Sequence, residues 1–248
     1  MKNYKLIVAY DGTRYLGWQK LGERGSAQYA RTIQGKLEGI LSRMTGEAIE
    51  IHGSGRTDAG VHALGQIASF KTGFETTPAE ITAYLNRYLP EDIAVTAAEE
   101  ASERFHARLN AKEKTYRYSI NTSAVPDVFR HRYEYQLEAA LDIEKMRVAA
   151  ALLVGTHDFR PFCSSKRTKK STVRTVYAVE ITPEDKKIAV TFRGSGFLYN
   201  MVRILVGTLI EIGRGDRPPE DIPAIFEGRL PAGYTAPAKG LTLLEVVY

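Results

Sequence analysis

Three glycines in eight residues, Gly53, Gly55 and Gly60, surround Arg56 and Asp58 in the run Gly53-Ser54-Gly55-Arg56-Thr57-Asp58-Ala59-Gly60-Val61-His62. Glycine adopts backbone angles closed to other residues, so this density describes a tight loop offering a guanidinium and a carboxylate at close spacing. Two phosphate-binding patterns come near and both fail. Gly53-x-Gly55-x-x-Asp58 lacks the third glycine of a dinucleotide fingerprint and leads into strand-like alternation rather than a helix. A P-loop needs Gly-Lys-Ser/Thr, which the chain does not contain. An aspartate in water has a pKa near ~3.9, so a carboxylate is expected at neutral pH. From the residues alone, Asp58 reads either as a turn carboxylate capping its own loop or as a reacting group.

The second chemical signal is positive charge among flat rings. From 159 to 179 lie six cations, Arg160, Lys166, Arg167, Lys169, Lys170 and Arg174, and no acid. From 104 to 118 lie five, Arg104, Arg108, Lys112, Lys114 and Arg117, against the one acid Glu113. Phe105, Tyr116, Tyr118, Phe159, Phe162 and Tyr177 are interleaved. Cations neutralise phosphates and rings stack on unpaired bases, so these stretches read as a nucleic-acid footprint or as solvated loops beside core strands. The net charge of +5 adds little by itself. The five histidines show no i, i+4 pair, and the single Cys163 excludes a Cys-based zinc site and an internal disulfide. A reducing, cytoplasmic setting is expected. No run approaches the roughly 18 apolar residues of a membrane span, and the N-terminus lacks the pattern of a signal peptide.

The elements that must carry these residues alternate between strand and helix. Strands are expected at 5–10, 48–52, 61–70, 115–120, 176–181, 188–193 and 242–247, with 182–187 as the polar loop of a hairpin. Thr32 is the expected cap of a helix bearing Ile33, Leu37, Ile40, Leu41 and Met44. Thr77-Pro78-Ala79-Glu80 is a capping box with proline at the first helical position, and Pro90 stops that helix. Asp142 and Asn200 are expected to open two more, ended by Gly155 and Gly213. The class is α+β in two similar halves, 1–105 and 106–248, without a residue-level repeat.

The loop GRTDAGVHALGQ resembles the active-site signature of the bacterial tRNA pseudouridine synthase A family. Further blocks resemble that family in order: Tyr10-Asp11-Gly12-Thr13 with Gly17-Trp18-Gln19; Thr32-Ile33-Gln34-Gly35; Arg104 to Arg108 with Lys114 to Tyr118; His157-Asp158-Phe159; Phe197 to Arg203 with Val206-Gly207; and Thr235 to Leu241. The stretch 20–31 departs from the pattern by its length.

The resemblance implies two RNA-recognition-like halves whose antiparallel sheets join around a central catalytic cleft. It implies an isomerase that converts uridine to pseudouridine at positions 38, 39 and 40 of the tRNA anticodon stem-loop, working as a homodimer without cofactor or metal. Asp58 is then the essential carboxylate, as nucleophile or base, and Arg203 its positive partner. Tyr116 lies against the target base. Arg56 holds the backbone of the flipped nucleotide or fills the space it leaves, and Lys166, Arg167, Lys169 and Lys170 clamp phosphates. The competing expectations are a non-catalytic tRNA-binding or folding factor, and a related synthase acting at other RNA positions.

Overall fold

The computed structural model describes residues 1–165 and 171–248. Its class is α+β, and the chain divides into two compact units, Met1–Lys112 with Leu243–Tyr248, and Glu113–Thr242. The division expected at 105 therefore falls at Lys112/Glu113, and the last six residues return to the first unit. That return is invisible to a reading that cuts the chain once.

The first unit contains β1 (Lys2–Tyr10), α1 (Ala27–Ala30), α2 (Ile33–Thr45), β2 (His52–Gly53), β3 (His62–Thr72), α3 (Pro78–Tyr88) and β4 (Ile93–Ala101). Its strands run in the order β4-β1-β3, and the chain's last strand, β10 (Leu241–Val247), lies beside β3. The β1–β3 and β1–β4 pairs are antiparallel. Alternation along β1 buries Tyr4, Leu6, Val8 and Tyr10. The apolar stripes of α2 (Ile33, Leu37, Ile40, Leu41) and α3 (Ile81, Leu85) are buried too, each such side chain contributing about 1.5–3 kcal/mol. Thr32 caps α2 by accepting from Gly35 N–H, and α3 starts with the complete capping box.

The second unit contains β5 (Glu113–Asn121), β6 (Tyr135–Gln136), α4 (Ile143–Leu152), β7 (Gly155–Asp158), β8 (Val173–Glu184), β9 (Lys187–Gly194), α5 (Met201–Arg214) and α6 (Asp221–Phe226). The order is β5-β9-β8-β7, with β6 pairing parallel to β5. Helix α5 is the most buried element, closed by Gly215 at φ +80°.

Several local expectations need correction. Residues 48–51 form no strand; only His52–Gly53 pairs with β3. Gly155 does not end α4 but opens β7, and Leu153 is the cap. Gly213 lies inside α5, where a Cβ would stand 2.7 Å from Met146 Sδ, so it serves helix packing rather than termination. The 182–187 loop is tighter than expected: Glu184 pairs with Lys187 in register, and Asp185 turns the chain at φ 53°. Strand β4 and helix α6 were not anticipated, the first because Ala and Glu dominate it, the second because Pro223 sits inside a short element.

Candidate active site

The Asp58 loop rests on a bed built by the N-terminal block. At Gly17 (φ +97°) a Cβ would stand 2.6 Å from Thr57 O, and at Gly12 2.0 Å from Val61 O. A Cβ on Gly53 would meet the Trp18 indole at 2.4 Å. These glycines are therefore required by close approach, not only by turn geometry. Trp18 N–H donates to Thr57 O at 3.0 Å, and the first-turn N–H groups of α2, Ile33 and Gln34, donate to Gly17 O and Trp18 O. Donors left over at a helix start thus tie α2 to the segment that carries the loop. Gly12 N–H donates to His62 Nδ1 at 3.1 Å, fixing the loop's far end.

Polar side chains fix the middle of the loop. The Tyr10 hydroxyl and Thr57 Oγ1 lie 2.8 Å apart. Ser54 Oγ donates to Gln66 Oε1 at 2.7 Å, and Gln66 Nε2 donates to Gly55 O at 3.1 Å. Gln66 is fully buried, so both ends of its amide need partners and find them in the loop. Burial pushes the Tyr10 phenol up to about 12, against the hydrogen bonds with Thr57 and Gln66, so it stays neutral at working pH. Within this frame Asp58 is half-buried, its carbonyl accepting from Val61 N–H at 3.1 Å, and Arg56 is exposed.

Tyr116 and Arg203 belong to the second unit. Tyr116, on β5, is 7% exposed, pairs in register with Phe192 and meets the Phe197 ring edge-on at 5.4 Å. Arg203, in the first turn of α5, is half-buried. Its Nε donates to Ala236 O at 2.7 Å and its Nη1 to Asn200 Oδ1 at 2.8 Å. Asn200, left-handed at φ 60°, donates through Nδ2 to Ser164 Oγ at 3.0 Å. The segment holding Ala236 lies along α5 because Gly207 admits it: a Cβ there would stand 1.8 Å from Tyr234 O. Tyr118 donates to Pro237 O at 2.7 Å, and burial raises its pKa. The blocks 116–118, 197–207 and 235–241, separated in sequence, thus converge in this unit.

Lys166, Arg167, Lys169 and Lys170 lie outside the described residues. The stretch leading to them is rooted next to α5, where Ser164 N–H donates to Tyr199 O at 3.2 Å. Among the described residues no group of three or more His, Cys, Asp or Glu is placed to hold a metal ion, and no helix is long and apolar enough to cross a membrane. Sequence reasoning missed Tyr10, Gln66 and Phe197 as parts of the two frames.

A family model described as tRNA pseudouridine synthase matches residues 6–110 and 149–248. A tRNA pseudouridine synthase A of Brevibacillus brevis is 46% identical over 250 residues, covering 100% of both chains. Its counterpart in Bacillus sp. strain KSM-64 is 49% identical over 245 residues, covering 98% of both. One from Acetivibrio thermocellus is 45% identical over 250 residues, again with 100% of both covered. The chain belongs to the tRNA pseudouridine synthase family, isomerases that convert uridine to pseudouridine within tRNA.

Proposed function

We propose that this chain isomerises uridines at positions 38, 39 and 40 of the tRNA anticodon stem-loop, with Asp58 as the essential carboxylate. The observation that carries the reading is the frame around Asp58: three glycine close approaches and two side-chain hydrogen-bond systems hold one half-buried carboxylate in the loop. Such investment in fixing a loop suits a reacting group better than a solvent-facing turn.

In the reaction the N-glycosidic bond breaks, the uracil turns, and C5 bonds to the ribose carbon; C5 loses a proton and N1 gains one, so no atom is added overall. Asp58 acts as nucleophile or as base at the sugar. Arg203 balances its charge, and its own two hydrogen bonds hold the guanidinium in one orientation. Tyr116 stacks against the target base and relays the C5 proton, its oxygen accepting that proton as its own O–H hydrogen passes on towards N1. The base must leave its stack first, at about a few kcal/mol, and Arg56, exposed on the loop, holds the flipped nucleotide's backbone or fills the gap. Lys166, Arg167, Lys169 and Lys170 clamp phosphates, which suits an enzyme serving three neighbouring positions by shape more than by sequence. The working form is a homodimer in the cytoplasm.

The test is Asp58→Asn, assayed on tRNA transcripts without added cofactor, with modified positions mapped. Loss of turnover with tRNA binding kept supports the reading. Retained turnover removes Asp58 from the chemistry; a wild-type protein that binds tRNA but modifies none would be a folding factor; modification outside the anticodon arm would make it a synthase of other specificity.

A further inference from the structure

The first unit carries a concave site apart from the Asp58 frame: a groove of about 800 Å³. Ser69 and Lys71 of β3 line it on one side, and the segment from Glu103 to His106 on the other. His52 pairs in register with Ser69, and its ring stacks on that of His106 with centroids 4.7 Å apart and planes 24° from parallel. His52 immediately precedes Gly53, where the Asp58 loop begins.

The 103–106 segment is held in place. Asn3 Nδ2 donates to Ser102 O at 2.8 Å and Phe105 O at 2.9 Å, and Ala107 N–H donates to Ser69 Oγ at 3.1 Å. His106 Nδ1 accepts from Arg108 N–H at 3.1 Å, which orients the ring, and the His106 backbone N–H donates to Asn110 Oδ1 at 2.7 Å, which holds its backbone. Lys71 and Arg104 line the groove and are exposed. Two acids, Glu50 and Glu103, also line it; Glu50 is 3.4 Å from Lys20, a cation it shares with Glu38 at 3.5 Å. The volume lies in the range of about 300–1,000 Å³ typical of small-ligand sites.

We propose that this groove is an RNA subsite that takes one unpaired nucleotide of the tRNA beside the target, its base stacked on the His52–His106 pair and its phosphate against Lys71 and Arg104. This rests on the reading of the chain as a tRNA isomerase with its reacting carboxylate in the following loop. Imidazole stacking is tolerant of base identity and the cations read only phosphate, so the subsite supplies affinity without sequence preference. A nucleotide held at the loop's first residue also keeps the strand from following the flipped base.

Two double variants test this, with Kd measured on tRNA already carrying pseudouridine and kcat and KM on unmodified tRNA. His52→Ala/His106→Ala is expected to raise Kd and KM about tenfold with kcat unchanged, and His52→Tyr/His106→Phe to restore most of the loss by keeping flat rings. Lys71→Ala/Arg104→Ala is expected to lower the slope of log affinity against log salt by about 0.7, the value for one single-strand phosphate. Wild-type Kd and KM in both alanine variants, folded by circular dichroism, would overturn the subsite while leaving the catalytic reading intact. A change from dimer to monomer with per-protomer Kd unchanged would also overturn it, assigning the groove to a second copy of the chain. A wild-type protein inactive on all tRNAs would instead sink the parent reading.

Discussion

The Tyr10 phenol meets the Thr57 hydroxyl at 2.8 Å, one residue before the carboxylate proposed to react. Both groups are buried. Tyr10→Phe keeps the ring and leaves the threonine hydroxyl without this partner, which costs about 1–3 kcal/mol of stability. Because the bond fixes loop geometry rather than tRNA contact, kcat is expected to fall while KM holds. Denaturant unfolding with steady-state kinetics checks both; an unchanged kcat would show that this bond does not hold the reacting geometry.

Gly17 and Gly25 form a natural pair of controls. Both have positive φ, +97° and +89°, but only Gly17 faces the loop, 2.6 Å from Thr57 O as measured from an added Cβ; around Gly25 nothing lies within 4 Å. Gly25→Ala is expected to cost the backbone strain alone, about 1 kcal/mol. Gly17→Ala should cost at least about 2 kcal/mol more and should reduce activity, because the backbone beside Asp58 must move. Equal melting temperatures for the two variants would contradict the close approach.

Arg203→Lys separates charge from geometry. Lysine keeps the cation but has no planar fork to reach Ala236 O and Asn200 Oδ1 together. tRNA affinity is expected to stay within about twofold, since one positive charge is retained, while kcat drops at least about tenfold. A lysine variant with full turnover would reduce the arginine's role to charge.

The capping box of α3 gives a pH-dependent prediction. Thr77 N–H and hydroxyl bond the Glu80 carboxylate and hold its pKa below the ordinary 4.5. A carboxyl depressed in the folded state contributes stability above its unfolded value, lost as pH falls through the folded one. Glu80→Gln, which removes the titrating carboxylate, should therefore be less stable than the wild type at neutral pH, and the gap should narrow below about pH 4. Parallel unfolding curves across that range are the check; a constant gap would remove Glu80 from the cap.

Local chemistry made much of this molecule readable in advance. Thr32, Thr77 and Asp142 cap the helices they were expected to cap, because a side-chain oxygen three residues before a backbone N–H is a local signal. The loop around Asp58 was legible for the same reason, three glycines being a backbone statement. What the sequence concealed were non-local contacts. Nothing near Gly213 announces Met146, and nothing near Gln66 announces Ser54 and Gly55. Gly155 and Gly213 misled as helix ends because glycine marks both a positive φ and a crowded surface, and only the neighbours decide which.

Strand β10 has a bearing on how the molecule is made. Its residues from Leu243 onward complete the unit begun at Met1, yet leave the ribosome about 130 residues after Lys112. At 5–20 residues per second that interval is roughly 7–26 s. Throughout it the flank of β3 that β10 will occupy stays open, a template for mispairing with nascent neighbours. A fragment that stops before Leu243 is expected to leave that flank of β3 unpaired, a consequence of where one short strand happens to be encoded.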